Sequence, residues 1–364
     1  MNQVPEKMSG VLLTGHGGLE KLEYRTDLPV PIPEEDEVLI KVGATAVNNT
    51  DINTRIGWYS KCVIEQTNAG ASSGFQTIND NDASWSGIPV SFPRIQGADC
   101  CGEIVAVGEQ VSSNRIGERV LVRTLQQTAM TEAEYSCITY GSECDGGFAQ
   151  YTKVLAIEAF PIRSSLNDSE LASFPCAYST AENMIDRAKV KPNETVLITG
   201  ASGGVGSAAV QLVKRRHAKV IAICSENKME QLIALGADKV VSRGRNLLDF
   251  LGLDSVDVVI DLVAGKQWPE LPALLRKGGR YTVAGAIAGP IVELDVRTLY
   301  LKDLSFYGCT YQPRTVFENL IGYIERSELR PLVAKQYALK DIKSAQQDFM
   351  DKQFVGKLVL LPMR

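Results

Sequence analysis

The strongest constraint on the fold is a glycine-rich turn that follows a short apolar run and opens a helix-like pattern. Residues 196–198 are apolar, and the turn Gly200-Ala-Ser-Gly-Gly-Val-Gly206 comes soon after. The apolar residues that follow recur with helical spacing: Val205, Ala208, Ala209, Leu212 and Val213. A strand, turn and helix in this order direct backbone N–H groups and the positive end of the helix at a pyrophosphate. The pattern predicts such contacts from Gly203, Gly204 and Val205.

The neighbouring sequence decides between a dinucleotide site and an ordinary strand-to-helix connection. A second strand-like run, residues 218–224, follows at the distance expected for one βαβ unit and favours the dinucleotide site. Further strand-like runs lie at 239–241, 256–262, 280–284 and 304–308. A helix over 226–235 would end at Gly236. The alternation over residues 164–312 predicts an α/β domain with a doubly wound parallel sheet, a Rossmann dinucleotide-binding domain.

The first 163 residues have a different pattern, of short strands separated by turns. Strands are predicted at 10–14, 37–42, 102–107, 119–123 and 147–152. The segment 313–364, with a helix over 316–324 and a strand over 356–361, is predicted to return to this β-rich half. Residues 60–93 are rich in Ser, Asn, Gly and Asp and carry Trp85, so we interpret them as an insertion that is either a lid or a surface decoration.

Charge and composition exclude several classes of function. The 364 residues carry a net charge of −5 and no long basic run, which argues against nucleic-acid binding. No apolar run has the length of a membrane span, and the polar start does not resemble a signal peptide, so we expect a cytoplasmic protein. The 8 cysteines contain no Cys-x-x-Cys pair. Of the 2 histidines, neither His16 nor His217 has neighbours that suggest a catalytic or ligating role.

Several short motifs, in a specific order, resemble the medium-chain dehydrogenase/reductase superfamily on its zinc-free quinone oxidoreductase branch. The motifs are Asn48-Asn-Thr-Asp51, Arg55-Ile-Gly57 with Tyr59, Gly97-Ala-Asp99, Gly117-Glu-Arg-Val120, Gly147-Phe-Ala-Gln-Tyr151, Cys176 with Thr180-Ala181, Ala201-Ser-Gly-Gly-Val-Gly206 and Leu235-Gly-Ala-Asp238. The resemblance covers nearly the whole chain apart from residues 60–93. It implies a GroES-like catalytic domain formed by both ends of the chain, a nicotinamide cofactor, a small-molecule substrate and a homodimer, for which strand 304–308 is a plausible pairing edge.

The positions that hold catalytic zinc in alcohol dehydrogenases of this superfamily are altered here. Asn48 stands at the first position, Ala98 replaces the histidine, and only Cys176 remains. One thiolate does not hold Zn²⁺, which takes three protein ligands at a catalytic site. We therefore expect no bound metal, and we interpret Cys176 as a small buried residue near the cofactor.

Without a metal to stabilise an alkoxide, hydride delivery to an already electrophilic substrate is the easier reaction. We therefore expect reduction of a quinone or an α,β-unsaturated carbonyl. By the family motif, Asn48 and Tyr59 would donate hydrogen bonds to the oxygen that becomes negative. The alternatives are a capping role for Asn48 and simple packing for Tyr59. Arg55 is expected to form a structural ion pair, and Asp99 a structural hydrogen bond.

The second strand of the βαβ unit ends without the acidic residue that NAD-preferring sites carry, and Glu226 is expected at a helix start instead. Ser225, Lys228 and Arg243 could bind a 2′-phosphate, which predicts NADPH over NADH; the alternative is that both cations are solvated. The resemblance adds Thr180, Val263, Gly285 and Lys357 near the cofactor. Two rival functions stay open: an alcohol or aldehyde dehydrogenase, and a crystallin-like cofactor-binding protein without turnover.

Overall fold

A computed structural model describes residues 4–127 and 135–363 of the chain. Its strands are β1 (Lys7–Leu13), β2 (Leu22–Pro29), β3 (Glu37–Ala46), β4 (Arg94–Ile95), β5 (Cys101–Val107), β6 (Arg119–Val122), β7 (Leu125–Gln126), β8 (Ile138–Thr139), β9 (Tyr151–Leu155), β10 (Ala159–Pro161), β11 (Thr195–Ile198), β12 (Lys219–Cys224), β13 (Lys239–Ser242), β14 (Val256–Asp261), β15 (Leu275–Val283), β16 (Ser305–Gly308), β17 (Val333–Ala338) and β18 (Lys357–Leu361).

The α-helices of the same residues are α1 (Asn49–Ile56), α2 (Asp168–Leu171), α3 (Pro175–Arg187), α4 (Gly204–Arg215), α5 (Met229–Leu235), α6 (Leu247–Leu251), α7 (Glu270–Leu274), α8 (Val296–Leu301), α9 (Arg314–Glu325) and α10 (Ile342–Asp351). Helices α1, α3 and α10 lie where no helix was predicted. No helix in residues 4–127 and 135–363 is both long and apolar enough to cross a bilayer.

The middle of the chain forms the predicted parallel sheet. Its strand order is β13-β12-β11-β14-β15-β16, and every neighbouring pair runs parallel. The order reverses direction beside β11, and ligands of open α/β sheets bind at such a switch point, beyond the carboxyl ends of the strands. Apolar side chains cover both faces, since one buried cluster joins the sheet to α3 and α4 and another packs on the opposite side around Trp268 and Leu271.

Both ends of the chain build the β-rich half. The order in its larger sheet is β10-β6-β5-β3-β18-β17, with β9 also paired to β3. Strand β18 pairs antiparallel with β3, so the C-terminal strand lies beside the segment that leads into α1. Helix α9 packs against α3, and Phe317 on α9 lies 4.9 Å from Phe160 of β10 between ring centroids, so this helix contacts both halves.

Several predicted strands have different bounds in the structure, and the runs at 147–152 and 280–284 differ most at their first residue. The run predicted at 147–152 forms a strand only from Tyr151, because the N–H groups of Gly147 and Phe148 bond to Gly97 and Gln96 instead of a strand partner. The run predicted at 280–284 begins at Leu275.

The insertion at 60–93 contains short 3₁₀ turns at Thr67–Gly70 and Asp80–Asp82. The Thr67 N–H bonds to the carbonyl of Ile287 in the loop after β15 at 3.1 Å. The Phe75 N–H bonds to the carbonyl of Ile56 at 3.1 Å. The insertion therefore bridges the parallel-sheet half and helix α1 of the β-rich half.

Candidate active site at the junction of the two halves

The glycine-rich turn between β11 and α4 is tightly packed. Gly200 has φ +58°, which favours glycine, and a Cβ on Gly206 would lie 2.3 Å from the Gly200 carbonyl oxygen. Helix α4 begins at Gly204, one residue earlier than its apolar spacing starts. The first N–H groups of a helix have no partner within it, so those of Gly204 and Val205 are suited to an anion.

Gly203 is the N-cap residue of α4. Its N–H donates to the Gly200 carbonyl at 3.1 Å, so this group already has a partner within the turn. A Cβ at Gly203 would lie 3.5 Å from the same oxygen, an ordinary contact distance. The pyrophosphate contact through Gly203 stays a prediction.

Val263 and Gly285 both lie just beyond strand ends of the parallel sheet, after β14 and β15. The Cγ2 atom of Val263 would meet a Cβ on Gly200 at 3.1 Å. A Cβ on Gly285 would lie 3.0 Å from the carbonyl oxygen of Leu262. The structure therefore brings these two positions to the same sheet edge as the glycine-rich turn.

Thr180 lies on α3 with its hydroxyl turned to the helix backbone. The hydroxyl donates to the Cys176 carbonyl at 2.7 Å and accepts from the Gln312 amide at 3.4 Å. Cys176 is buried, and burial raises the pKa of its thiol well above the ordinary value. The thiol is therefore protonated at neutral pH, as expected for a packing residue.

Three cations from distant parts of the chain, Lys228, Arg243 and Lys352, converge beside the end of β12. Ser225 directly follows β12, and Arg243 directly follows β13. Lys228 is buried, and its Nζ donates to the backbone carbonyl of Lys352. Burial, followed by the charge of Arg243, lowers the pKa of Lys228. Burial, followed by the charges of Arg243 and Lys228, lowers the pKa of Lys352. The charge of Arg243 lowers the pKa of both lysines, and cations that repel one another in this way favour the binding of an anion among them.

Glu226 lies near these cations but is not bonded to them. It is the first residue of a 3₁₀ helix, as expected, and its carboxylate accepts from the Ser242 hydroxyl at 3.2 Å. Lys352 was missed from the sequence, since it is a single lysine at the end of α10, 124 residues from Lys228, and no local pattern marks it.

A buried polar cluster joins α1, β5 and β18. Asn48, the N-cap residue of α1, donates through Nδ2 to Asp99 at 2.7 Å and to the Ala46 carbonyl at 3.2 Å. Lys357 donates to Asn48 Oδ1 and forms an ion pair with Asp99 at 2.8 Å. Both amide hydrogens of Asn48 are therefore used within the protein. This arrangement favours the capping and structural alternative for Asn48 over its expected role as the donor to substrate.

Asp99 is fully buried and does more than form the single structural hydrogen bond expected of it. One carboxylate oxygen accepts the Cys176 N–H at 2.7 Å, while the other accepts from Asn48 and Lys357. Nearby Asp51 accepts the N–H groups of Asn48 and Gly97 at 2.7 and 3.2 Å. Burial raises the pKa of Asp51 to about 7.

Tyr59 follows α1 and is partly buried. Its hydroxyl donates to Thr50 at 3.2 Å, and its ring stacks on Trp85 of the insertion with 6.2 Å between centroids and 20° between planes. Burial raises the pKa of the Tyr59 phenol well above its usual value, so the group remains a hydrogen-bond donor at neutral pH. The insertion therefore forms one wall beside the phenol.

Within residues 4–127 and 135–363, Arg55 has no partner for the expected ion pair. Its fully buried guanidinium donates to neutral acceptors, the side chain of Gln346 at 2.8 Å and the carbonyls of Gly17 at 2.8 Å and Ala71 at 3.3 Å. Burial lowers the pKa of Arg55 to about 10. Arg55 is structural, as expected, but it acts by tying three segments together through neutral groups.

His16 bonds through Nδ1 to the Thr54 carbonyl at 2.7 Å and packs edge-on against Phe92. Its contacts are those of a packed side chain. His217 has φ +57° in the turn after α4.

Comparison with known proteins agrees with this architecture. Residues 34–164 match the model of the alcohol dehydrogenase GroES-like domain, and residues 204–326 match that of the zinc-binding dehydrogenase. The quinone oxidoreductase of Lama guanicoe is 29% identical, with 97% of each chain covered. The acryloyl-coenzyme A reductase of Metallosphaera sedula is 27% identical, with 97% of this chain and 99% of that protein covered.

A solved structure of a provisionally assigned alcohol dehydrogenase from Sinorhizobium meliloti 1021 is 45% identical and superposes with a TM-score of 0.88, with 100% of this chain and 98% of that chain covered. The chain belongs to the medium-chain dehydrogenase/reductase superfamily, on its quinone oxidoreductase-like branch. Within this superfamily it is an NAD(P)H-dependent oxidoreductase that acts as a reductase on a small-molecule substrate.

The zinc-binding dehydrogenase model raises the question of whether this family member has residues suited to zinc. Both the nitrogen and the oxygen of the Asn48 side-chain amide are hydrogen-bonded within the protein. The side chain of Ala98 has no atom that could bind a metal ion, and Cys176 is a protonated thiol. The ammonium of Lys357 is bonded to Asn48 and Asp99, and a positive charge there repels a metal ion. These residues do not fit a catalytic zinc ion.

Proposed function

We propose that this family member is a zinc-independent, NADPH-dependent reductase of quinones or α,β-unsaturated carbonyls. The observation that carries the proposal is the polar cluster around the ion pair of Lys357 and Asp99. In it, Lys357 bonds to Asn48 and Asp99 accepts the N–H of Cys176, so two of the zinc positions are bonded to this ion pair. Relatives that are named quinone oxidoreductase and acryloyl-coenzyme A reductase support the substrate class.

The choice of NADPH rests on the cation group of Lys228, Arg243 and Lys352. A 2′-phosphate there would bond to the hydroxyl of Ser225 and gain from cations that repel one another without it. The pyrophosphate would lie against Gly204 and Val205, with Val263 and Gly285 bordering the same edge and Thr180 on α3. When bound, the nicotinamide of the cofactor supplies the hydride.

The remaining task of the chain is to stabilise negative charge on the substrate oxygen. The Tyr59 phenol is a protonated donor at the junction of the two halves, and Trp85 holds its ring from one side. Its O–H would turn from the Thr50 hydroxyl to the substrate oxygen, and the Thr50 hydroxyl could then donate to the phenol oxygen. Donors that are fixed before the reaction lower the energy of a developing oxyanion. The aromatic wall suits a planar, conjugated substrate.

The test is oxidation of NADPH, followed by its absorbance, with 1,4-benzoquinone or 3-buten-2-one as substrate. We expect NADPH consumption that depends on both the protein and the substrate, with kcat/KM for NADPH at least about tenfold above that for NADH, since one charge-assisted hydrogen bond is worth about 1.5–3 kcal/mol. NADPH fluorescence enhancement without turnover would support the crystallin-like function instead.

Variants of the cation group separate cofactor preference from general damage. Lys352→Ala and Lys228→Ala should each lower kcat/KM for NADPH by about tenfold or more while leaving kcat/KM for NADH unchanged. Lys340→Ala, at an exposed lysine, is the matched control and should leave kcat/KM for both cofactors unchanged. Equal use of NADH that is unaffected by Lys228→Ala would contradict the NADPH assignment.

A second candidate is an alcohol or aldehyde dehydrogenase, which the 45% identical relative from Sinorhizobium meliloti favours. It requires alcohol-dependent reduction of NADP⁺ at high pH. We expect this activity to be far below the reduction of quinone or enone, since the residues at the zinc positions offer no Lewis acid for an alkoxide.

A further inference from the structure

Lys357 is a buried cation in contact with both of its partners. Its side chain is 3% exposed, and that of Asp99 is fully buried. The Lys357 ammonium donates to Asp99 and to Asn48, which uses two of its three N–H groups. Burying an ion pair costs desolvation energy that a pair of apolar residues would avoid.

The neighbours of Lys357 place this cation between the zinc positions and the start of α4. It bonds to Asn48, the first of the zinc positions, and to Asp99, whose carboxylate also accepts the N–H of Cys176, the last of them. Its stem lies against the start of α4, since a Cβ on Gly204 would meet Lys357 Cδ at 2.9 Å. The cation therefore lies between the residues of the zinc positions and the phosphate-binding turn.

We propose that Lys357 is a catalytic residue that performs, with an ammonium, the charge stabilisation that a metal provides in zinc-dependent relatives. This inference rests on the proposed reductase function. Its third N–H would face the substrate oxygen, and Asp99 and Asn48 would act as positioning residues that fix the ammonium. The arrangement explains why Asn48 has no amide hydrogen left for substrate.

For an enone, the cofactor when bound would supply a hydride, and its own C–H bond would break as a new C–H bond forms at the β-carbon of the substrate. The C=C electron pair would shift so that the carbonyl oxygen gains the negative charge. Lys357 would stabilise that oxygen and give it a proton, so one N–H bond breaks and one O–H bond forms. The resulting amine would regain a proton from solvent hydronium, and the enol would release its O–H proton as its α-carbon gains one, which gives the saturated ketone.

The first experiment compares wild type with Lys357→Met combined with Asp99→Asn. The double variant removes both members of the ion pair, so no single buried charge is left to unfold the protein. We expect it to fold, by thermal unfolding, and to bind NADPH, by fluorescence, while kcat for 3-buten-2-one falls by about 10²-fold with a smaller change in KM. Folding and NADPH binding together with wild-type kcat would overturn the proposal.

Two single variants keep the test decisive if the double variant does not fold. Lys357→Gln retains hydrogen-bond donors but has no proton to give, and its kcat should fall; Lys357→Arg retains the charge and should recover part of kcat. Wild-type kcat in Lys357→Gln would overturn the role of Lys357. If wild type itself reduces neither 3-buten-2-one nor 1,4-benzoquinone with NADPH, the proposed function fails instead.

Discussion

Tyr59 and Asp51 show how burial alone sets the protonation of groups at this site. Burial raises the pKa of the Tyr59 phenol, so the phenol keeps its proton and can donate a hydrogen bond. Burial also raises the pKa of Asp51 to about 7, although two backbone N–H groups bond to its carboxylate. Desolvation of the charged form therefore outweighs hydrogen bonding at Asp51.

For Tyr59 we expect Tyr59→Phe to lower kcat by about 10-fold to 10²-fold, since the variant loses the O–H donor but keeps the ring that stacks on Trp85. The measurement is steady-state reduction of 3-buten-2-one with NADPH. Tyr24→Phe, on an exposed residue of β2, is the matched control. An unchanged kcat in Tyr59→Phe would assign the residue to packing.

Asp51 gives a pH dependence of stability with a defined sign. The unfolded carboxyl ionises above about pH 4, whereas the folded one keeps its proton to about pH 7, so the folded state binds more protons in this window. The contribution of Asp51 to the free energy of unfolding therefore falls as pH rises from about 4 to 7, by at most about 1.4 kcal/mol per pH unit.

The measurement is the thermal unfolding midpoint of wild type and Asp51→Asn across that pH range. Groups other than Asp51 cancel in the difference, so the midpoint of wild type should fall relative to the variant as pH rises, and then level off. A difference that stays constant with pH would show that Asp51 is ionised throughout.

At the scale of elements, the periodicity of the sequence predicted the parallel sheet and half of the strands that the structure describes in the β-rich half, namely β1, β3, β5, β6, β9 and β18. Strands such as β11 and β12 are short apolar runs, which form where both faces are covered. Helix α1 was missed because a polar sequence with buried side chains lacks an amphipathic pattern; its residues are buried by the insertion and by α10.

The insertion at 60–93 is the element that we expect to influence substrate specificity. We propose that it acts as a lid, with Trp85 as its contact to the substrate region through Tyr59. Trp85→Ala should raise the KM for substrate by up to about tenfold, since aromatic pairs contribute about 0.5–1.5 kcal/mol beyond the area that they bury.

The Trp85→Ala variant should leave the dissociation constant of NADPH unchanged. Ile88→Ala, in the same insertion and 52% exposed, is the control and should leave KM as in wild type. Unchanged KM in Trp85→Ala would indicate that the insertion is a surface decoration.

At the scale of the whole molecule, the site is assembled from contacts that no local pattern can contain. Lys357 is 258 residues from Asp99 and 309 from Asn48, and Lys228 meets Lys352 across 124 residues. The family resemblance placed Lys357 near the cofactor, but its pairing with Asp99 depends on strand β18 returning beside β3. Motifs in the sequence can therefore indicate candidate positions, whereas the partners of each side chain depend on the folded chain.

We also propose that two copies associate through β16, the last strand of the parallel sheet, and the adjacent helix α8. Val296, Tyr300 and Leu301 on α8 are each at least 60% exposed, which is unusual for apolar side chains grouped on one element. An edge strand has unpaired backbone groups that a second copy can satisfy.

For this surface we expect Leu301→Glu combined with Val296→Lys to convert a dimer into a monomer, measured by light scattering with size-exclusion chromatography. Ile32→Glu, at an 83% exposed residue of the β-rich half, is the control and should remain dimeric. A wild-type monomer would contradict the proposed pairing.

We propose that this superfamily member reduces its substrate with NADPH and without a metal, using Lys357 and Tyr59 at the substrate oxygen. The decisive experiment measures the rate of NADPH oxidation by 1,4-benzoquinone after chelator treatment, with the zinc content of the same sample determined by elemental analysis. We expect the full rate at a zinc content far below one ion per chain. Loss of activity on chelation, with recovery on adding zinc, would show that the reaction depends on a metal.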